Sequence, residues 1–232
     1  MIIFSASLNP LAIMENFEKT PRNTVKRLPK RGHYDKATIY AILDAGFVCH
    51  LGFVVNGQPF VIPTAYGRAG DVLYVHGAST SRMLAEAEKG LPVCLTVTHV
   101  DAIVVARSAF HSSMNYRSAV IFGTATKVSD AEKEEALRIV TDHIIPGRWD
   151  EVRPTHAIEL KATTVLKISI DAASAKVRTG GPNDDEEDYA LPIWAGVLPL
   201  QPKVGEAIPD ERLADGIAMP GSVTGYNKER FG

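Results

Sequence analysis

The sequence predicts a mainly β fold, a small and partly closed antiparallel β-barrel with peripheral helices. Residues 47–76 are rich in β-branched and aromatic side chains, and turn signals interrupt them at Asn56-Gly57 and at residues 67–71. These strands follow one another directly, without the alternation of strands and helices that a parallel doubly wound sheet requires. Further strand-like runs come later, separated by helical patterns. We therefore expect six or so mostly antiparallel strands with inserted helices.

The composition is that of an ordinary globular protein. The 232 residues are 45% hydrophobic and 22% charged, which is enough to bury a sizeable core. The net charge of -2 gives no general reason to expect a nucleic-acid partner. No apolar run is long enough to span a membrane, so no membrane partner is expected either. Cys49 and Cys94 lie in apolar strand-like runs without metal-type spacing, which indicates buried, inert thiols and a cytoplasmic location.

The chain divides into three parts. We predict an N-terminal arm over residues 1–24, a barrel domain over 25–178, and a C-terminal extension over 179–232 that packs on the barrel or on a dimer partner. Residues 22–31 hold five basic side chains. They are interpreted either as a solvated or subunit-covering arm or as a nucleic-acid patch. The C-terminal extension contains many Pro, Gly and acidic residues and has little periodicity.

The first helix and the hairpin after it carry clear sequence signals. Residues 35–46 place apolar side chains on one helical face and end at Gly46. Asn56-Gly57 is a two-residue hairpin signal, because both central positions of that turn need positive φ. Pro63 cannot donate to a ladder, so the second strand has an edge, a bulge or a bend there. The three strands are expected at about 47–55, 59–66 and 71–76.

The second half of the barrel domain predicts two long strands, two helices and a final strand. Ser129 and Glu132 form a capping-box pattern at the start of the longer helix. Leu137, Val140 and Ile144 mark the buried face of that helix. The strands are expected at about 92–106, 115–128 and 163–170, the first as one long strand or as two joined at Val100-Asp101. The helices are expected at about 81–89 and 129–145.

Small and hydroxylated residues follow the third strand, in the stretch from His76 to Arg82. Ser79, Thr80 or Ser81 is positioned to cap the next helix, which accounts for part of this pattern. The first N–H groups of a helix also attract anions, hydroxyls add donors, and a guanidinium adds a permanent positive charge. The stretch is therefore interpreted either as a helix cap or as a phosphate-binding site. It has neither a Walker-type nor a Rossmann-type glycine pattern.

Other candidate residues allow two interpretations each. His76 is a ligand, a base or an ordinary histidine at a strand end, and the scattered histidines show no metal-type spacing. Arg117 and Ser118 open a strand of core residues, either as an exposed strand end or as site residues. Trp194 is a packing anchor or the cover of a planar ring. No G-x-S-x-G elbow marks a nucleophilic serine.

Four sequence blocks carry a resemblance to a known family: VKRLPKRGHYDKATIYAILDAG, FVIPTAYGRAGDVLYVHGASTSRM, NYRSAVIFGTATKVSDAEKEEAL and PIWAGVLPL. Over roughly residues 25–200 they resemble the FMN-binding split-barrel family related to pyridoxamine 5′-phosphate oxidase, in the branch of nitroimidazole reductases and flavin-nucleotide-binding proteins. The resemblance implies a six-stranded split barrel and a homodimer with FMN at the subunit interface. It also implies a flavin-dependent oxidoreductase that acts on a small molecule, with NAD(P)H or the substrate as reductant.

The resemblance further implies which residues surround the flavin. The strand VIPTAY would bring Ile62, Pro63 and Thr64 beside the isoalloxazine ring. The other implied residues are the phosphate contacts His76, Ser79, Ser81 and Arg82, the bordering strand residues Tyr116, Arg117 and Ser118, and Trp194 from the C-terminal block.

The sequence departs from the family pattern in ways that bear on function. Met83 follows Arg82, where many relatives carry a lysine. The oxidase's basic segment on the flavin strand and its C-terminal arginines are absent, so true pyridoxamine phosphate oxidation is not expected. The alternatives are a non-catalytic flavin- or haem-binding sensor or carrier, with a histidine such as His76 as axial ligand, and a nucleic-acid binder that uses the basic arm.

Overall fold

Nine strands and four α-helices make up the described part of the chain. The structure is a computed structural model, and it describes residues 15–79 and 90–226. The strands are β1 Gly32–His33, β2 Val48–Val55, β3 Gln58–Ala69, β4 Val72–Ala78, β5 Leu91–Val105, β6 Ser113–Lys127, β7 Thr163–Ser169, β8 Ala172–Arg178 and β9 Gly196–Pro199. The helices are α1 Lys36–Ala45, α2 Lys133–Ile144, α3 Ala157–Ala162 and α4 Gly221–Thr224. Short 3₁₀ turns lie at Pro29–Arg31, Trp149–Glu151 and Glu186–Ala190.

Six of the nine strands close a ring. The strand order in the sheet is β1-β8-β6-β7-β4-β3-β2-β5-β9, and β5 also pairs with β6. That further pairing closes β2, β3, β4, β7, β6 and β5 into a barrel, and all the pairings are antiparallel. The predicted antiparallel β-barrel is confirmed. The expected number of six strands is too low for the sheet, because β1, β8 and β9 extend it beyond the ring.

The barrel is split because the β5–β6 ribbon is longer than the ring. In β6, residues 125–127 pair with β7, whereas residues 116–122 pair with β8. In β5, residues 93–96 pair with β2, whereas residues 102–105 pair with β9. A β-bulge at Asp101 interrupts the β5–β6 ladder. One half of each long strand therefore belongs to the ring, and the other half carries an added strand.

The corner between β7 and β8 lies directly against β6. The Asp171 N–H donates to the Phe122 carbonyl at 3.0 Å. A methyl group on Gly123 would lie 1.8 Å from the Ser169 carbonyl oxygen. The chain can therefore pass from β7 to β8 only because residue 123 has no side chain. Strand β8 was not predicted from the sequence, and it follows the expected last strand after one residue.

Two helices pack on the barrel. Helix α1 is capped by Asp35, whose carboxylate accepts the Thr38 N–H at 2.8 Å, and it ends at Gly46 as predicted. Helix α2 packs so closely on β3 that a methyl group on Gly67 would lie 2.7 Å from the Val140 Cα. The core holds the buried side chains of the ring strands and of α1, among them Ile39, Ile42, Leu43, Leu51, Tyr66, Leu73, Leu95, Ile121, Leu166 and Ile168.

The predicted turn between β2 and β3 is confirmed, and the predicted capping box is only half correct. Asn56 and Gly57 have φ of 51° and 78°, as a two-residue hairpin turn requires. The Glu132 carboxylate accepts the N–H and hydroxyl of Ser129. Helix α2 begins only at Lys133, however, so Ser129 lies outside it and does not cap it. Val140 is buried as predicted, whereas Leu137 and Ile144 are half-buried.

Both ends of the described chain extend beyond the barrel. Near the N-terminus, the buried Asn23 amide donates to the Ala173 carbonyl at 3.0 Å and fixes the arm along β8. At the other end, β9 pairs with β5. Residues 201–226 are mostly exposed, and Ile208 is 93% exposed. The Glu151 carboxylate holds this arm by accepting the N–H and hydroxyl of Ser222.

Candidate functional site

Strands β3 and β4 separate in the middle of the barrel wall. Their ladder contains only four residue pairs, from Ala69↔Val72 to Tyr66↔Val75. Both strands continue beyond the last pair, and the same register would bring residue 64 beside residue 77. No described strand pairs with β3 on that side of residues 58–65. The wall therefore has an opening between the first half of β3 and the end of β4.

The three predicted ring-contacting residues lie on the β3 side of this opening. Ile62 and Thr64 share the inner face with their buried partners on β2, and Ile62 remains 37% exposed. Pro63 lies on the outer face, opposite His50. The Tyr66 N–H donates to Phe47, next to β2, so even-numbered N–H groups of β3 point toward β2. The backbone N–H and carbonyl groups of the odd-numbered residues then point into the opening. Pro63 is one of these residues, and because it has no N–H it leaves no donor unsatisfied there.

The backbone at the opening offers hydrogen-bonding groups to a ligand. By the same alternation, the N–H groups of Val61 and Ala65 and the carbonyls of residues 61, 63 and 65 face the gap. Exposed apolar side chains, among them Val61 and Ile62, flank these groups. Apolar surface with a few convergent polar groups is typical of a site for a flat organic ligand. The arrangement therefore fits the edge and face of an aromatic ring system.

The predicted phosphate contacts lie partly on the β4 side of the opening. His76 is exposed near the end of β4, and desolvation by the surrounding strands lowers its pKa. Ser79 is exposed, and its N–H donates to the Ala162 carbonyl at 3.1 Å. Ser81 and Arg82 lie outside the described residues. The structure thus brings His76 and Ser79 to the same opening as residues 62–64.

A basic cavity adjoins the end of β4. It has a volume of about 410 Å³, and Ser79 lies on its wall. Among the residues that the structure describes, Lys127, Lys133 and Lys161 also line it, together with the carboxylate of Asp130. The buried ammonium group of Lys133 is 3.0 Å from that carboxylate and donates to the Leu160 carbonyl. The surplus of positive charge favours an anionic group near Ser79.

The remaining predicted residues lie elsewhere on the molecule. Tyr116 and Ser118 lie on the outer face of β6, about 14 Å across three strand spacings from β3. Arg117 points to the other face, and its guanidinium holds the Asp101 carboxylate at 2.8 and 3.0 Å. Trp194 is 70% exposed, and its ring packs over Gly196. Within one chain, none of these four residues lies beside the opening.

An apolar face covers the outside of β2, β3, β5, β6 and β9. Directly opposite residues on these strands share one face, so the register aligns their outward side chains. A contiguous exposed apolar surface is typical of an interaction site. The exposed apolar residues on this face are Val48, Val54, Val61, Val100, Ile103, Met114 and Leu198.

The sequence matches the family model described as pyridoxamine 5′-phosphate oxidase over residues 35–177, which include the whole ring and all of β8 except Arg178. That match covers more than half of the chain.

The chain belongs to the pyridoxamine 5′-phosphate oxidase family.

Three solved structures illustrate its place in that family. The flavocytochrome Anf3 of Azotobacter vinelandii is 45% identical, with a TM-score of 0.83 and coverage of 88% of this chain and 96% of that one. A FAD and haem binding protein of Mycobacterium smegmatis is 38% identical, with a TM-score of 0.81 and coverage of 84% and 96%. A Bacteroides thetaiotaomicron protein assigned to 5-nitroimidazole antibiotic resistance is 24% identical, with a TM-score of 0.51 and coverage of 63% and 86%. No protein with a curated function matches the chain.

This family member also has functional candidates that the sequence did not single out. Arg178 is buried on β8, directly opposite Tyr116, and Lys176 lies opposite Ser118. In the sequence, Lys176 and Arg178 stand out only as two basic residues at alternate positions, and their strand β8 was not predicted. Across residues 15–79 and 90–226, no cluster of His, Cys, Asp or Glu is suited to a metal ion. No helix in these same ranges has the length and apolar character needed to cross a membrane.

Proposed function

We propose that this protein binds a flavin and a haem and transfers electrons between a small molecule and these two groups. The main support is the 45% identity to the Azotobacter vinelandii flavocytochrome, which extends over 88% of the chain. The 38% identical Mycobacterium smegmatis protein, which binds FAD and haem, supports the same proposal. Within the pyridoxamine 5′-phosphate oxidase family, these relatives favour the flavin- and haem-binding alternative over oxidation of pyridoxamine phosphate.

The opening between β3 and β4 fits the flavin. Residues 62–64 would contact the isoalloxazine ring, and the N–H groups of Val61 and Ala65 would donate to its polar edge. His76 and Ser79, together with Ser81 and Arg82, would hold the phosphate. The basic cavity beside Ser79 supplies a favourable potential for that phosphate.

The histidines of the described chain differ in their fitness as haem ligands. The ring Nε2 of His99 donates to the Ile42 carbonyl at 2.9 Å, and that of His143 donates to the Gly46 carbonyl at 2.8 Å. The His111 ring contacts a carboxylate at 3.2 Å. His50 and His76, in contrast, are exposed on strand faces, and within the described residues their rings have no hydrogen-bond partner. His50 also lies on the apolar face, which suits an apolar macrocycle, so it is the ligand that we propose first.

We further propose that the protein is a homodimer joined through the apolar face. Burial of these side chains against a second copy would stabilise the dimer by about 25 cal/mol for each Å² of apolar surface removed from water. It would also explain why Tyr116 and Ser118 lie about 14 Å from the opening of their own chain. In a dimer, they would border the flavin of the partner subunit. A flavin at the subunit interface would then receive groups from both chains.

When bound, these groups would supply the redox chemistry: hydride transfer from NAD(P)H or a substrate at the flavin, and single-electron transfer at the haem. The residues of the chain bind and orient these groups. None of the described side chains at the opening is a carboxylate, and the imidazole of His76 would be the candidate general base there. The C-terminal arm and the partner subunit would control which small molecule reaches the opening.

The visible spectrum of the full-length protein, reconstituted with flavin and haem, tests the proposal. We expect a two-banded flavin spectrum together with a Soret band, and anaerobic NADPH should bleach the first and shift the second. Binding of both groups without any reduction would favour a carrier or sensor. A protein that retains neither group would refute the proposal.

Variants assign the groups to their residues. His50→Ala should abolish the Soret shift that axial ligation causes, whereas His111→Ala should leave it unchanged. Arg82→Ala should reduce flavin retention, and unchanged retention would refute the phosphate assignment. Mass spectrometry of the released flavin decides between FMN, which the resemblance implies, and FAD, which the mycobacterial relative binds. Gel filtration with light scattering measures the molar mass in solution and so tests the proposed homodimer.

A further inference from the structure

Four polar side chains form a patch where β6 and β8 run side by side. Tyr116 lies directly opposite Arg178, and Ser118 lies directly opposite Lys176. Opposite residues of an antiparallel pair project from the same face with Cβ atoms about 5 Å apart. The Ser118 hydroxyl donates to the Lys176 carbonyl at 3.3 Å. The register therefore gathers two hydroxyls and two cations in one place on this face.

Arg178 is unusual because it is buried without a carboxylate partner. Only 8% of the residue is exposed, and its Nη1 donates to the Asn115 side-chain oxygen. No Asp or Glu in the described part of the chain forms an ion pair with it. Buried charges in proteins are normally paired. Two other arginines at this end of the sheet are paired, since Arg107 contacts the buried Asp184 at 3.0 Å and Arg117 contacts Asp101.

A third positive charge adjoins the patch. Arg31 directly precedes Gly32, and Gly32 pairs with Lys176 across the β1–β8 ladder. Desolvation and the nearby Arg31 both lower the pKa of Arg178. Neither Arg31 nor Lys176 forms an ion pair among the described residues. Three cations thus lie together without a described anion to balance them, and this arrangement is unfavourable unless an external anion joins them.

We propose that Arg31, Lys176 and Arg178, with the hydroxyls of Tyr116 and Ser118, bind the phosphoryl group of a small molecule. Two guanidinium forks and an ammonium group match a dianion that has three terminal oxygens. The two hydroxyls supply further donors for the same oxygens. This subsite lies about three strand spacings from the opening of its own chain. It goes beyond the proposed flavin and haem binding and does not depend on it, because inorganic phosphate alone can be used to measure it.

The test follows phosphate binding to the full-length, cofactor-free protein at constant ionic strength. Calorimetry gives the dissociation constant, and thermal unfolding gives an independent readout. At ten times its dissociation constant, phosphate should raise the unfolding midpoint by about 3 to 6 °C. Arg178→Gln should weaken phosphate binding by about tenfold or more. Arg138→Gln removes an exposed, paired arginine of α2 and should leave the affinity unchanged.

The stability of Arg178→Gln is a second measurement. Because the substitution removes a buried charge without a carboxylate partner, it should raise the unfolding midpoint in phosphate-free buffer. A lower midpoint there would mean that the charge is already compensated, and it would overturn the proposal. Arg31→Gln removes the same charge from a less buried position and tests the loss of affinity without disturbing the sheet.

Further outcomes of these measurements decide the matter. An equal phosphate effect in wild type and Arg178→Gln, or none in either, would overturn the proposal. Binding of a duplex oligonucleotide but not of phosphate would overturn it in favour of a nucleic-acid surface. Phosphate binding that persists in the flavin-loaded protein would support a subsite for a separate phosphorylated molecule. Binding that disappears on flavin loading would overturn the proposal, because the phosphate would then have occupied the flavin site.

Discussion

Replacement of Gly123 by alanine should unfold the junction between the ring and the added strands. The new methyl carbon would lie 1.8 Å from the Ser169 carbonyl oxygen and 3.2 Å from the Ile168 side chain. Normal contact for a carbon atom is about 3.5 Å, so the carbonyl would have to move by more than 1 Å. Ser169 is the last residue of β7, and the next two residues form the corner into β8. A corner of two residues is too short to absorb this shift.

The expected loss of stability follows from this overlap. Overpacking in a well-packed interior costs about 1 to 3 kcal/mol, and a backbone neighbour that cannot rotate away puts Gly123→Ala at the upper end. The lower entropy of the unfolded alanine chain recovers about 0.4 to 1 kcal/mol. We expect a net loss of about 2 to 3 kcal/mol. For a chain of this length, that corresponds to an unfolding midpoint about 4 to 12 °C lower.

Chemical and thermal denaturation followed by circular dichroism measure this loss. Gly52→Ala is the matched control, because Gly52 also lies inside a strand and its nearest contact would be the Cys94 carbonyl at 3.3 Å. That variant should stay within about 1 kcal/mol of the wild type. If Gly123→Ala were as stable as Gly52→Ala, the close approach of the β7–β8 corner to β6 would be wrong.

Two further predictions concern titratable groups. Burial and a hydrogen bond to Asp71 raise the pKa of Tyr40 to about 12. Since this pKa is higher than in the unfolded chain, the stabilisation is present below pH about 10 and is lost as the pH rises toward 12. Absorbance at 295 nm should record a late tyrosine titration that moves to lower pH in Asp71→Asn, and an unchanged titration in that variant would contradict this. Hydrogen bonds from Ser222 lower the pKa of Glu151, so the arm should be held at neutral pH and released as the pH falls through that lowered pKa. Glu151→Gln should speed tryptic cleavage at Arg212 relative to Glu206→Gln. Equal cleavage rates would contradict the role of Glu151 in holding the arm.

Local signals in the sequence predicted the ring well. Asn56-Gly57 fixes a tight turn by its backbone preference, and that preference acts whatever the rest of the chain does. The buried face of α1 follows from the spacing of its apolar residues and was also predicted. The start of α2 was placed too early, because Ser129 and Glu132 bond to each other before the helix begins.

The added strands escaped prediction because their stability comes from their neighbours. Strand β1 has two residues and β9 has four, and both exist through pairing with strands far away in the chain. Strand β8 is rich in alanine, which favours helix over strand, and it follows β7 through a corner that Gly123 alone permits. No local pattern encodes such pairings, so these elements need the folded sheet to be recognised.

The candidate site was predicted in part for the same reason. Ile62, Pro63, Thr64, His76 and Ser79 come from two strands that are neighbours in sequence, so a local argument could bring them together. Arg178 and Tyr116 are 62 positions apart, and only the β6–β8 register places them side by side. The buried, uncompensated charge of Arg178 is a property of the fold and cannot be read from a list of basic residues.

The bulge at Asp101 changes which residues of β5 point outward. Before it, even-numbered residues such as Thr98 and Val100 point outward, and after it the odd-numbered Ile103 does so. Deletion of this one residue would remove the bulge and leave one continuous alternation, in which Ile103 still points outward and the fully buried Val104 still points inward. The faces that β5 presents beside β9 therefore do not depend on the extra residue. Its effect is local, because it bends β5 and brings the Asp101 carboxylate to the guanidinium of Arg117.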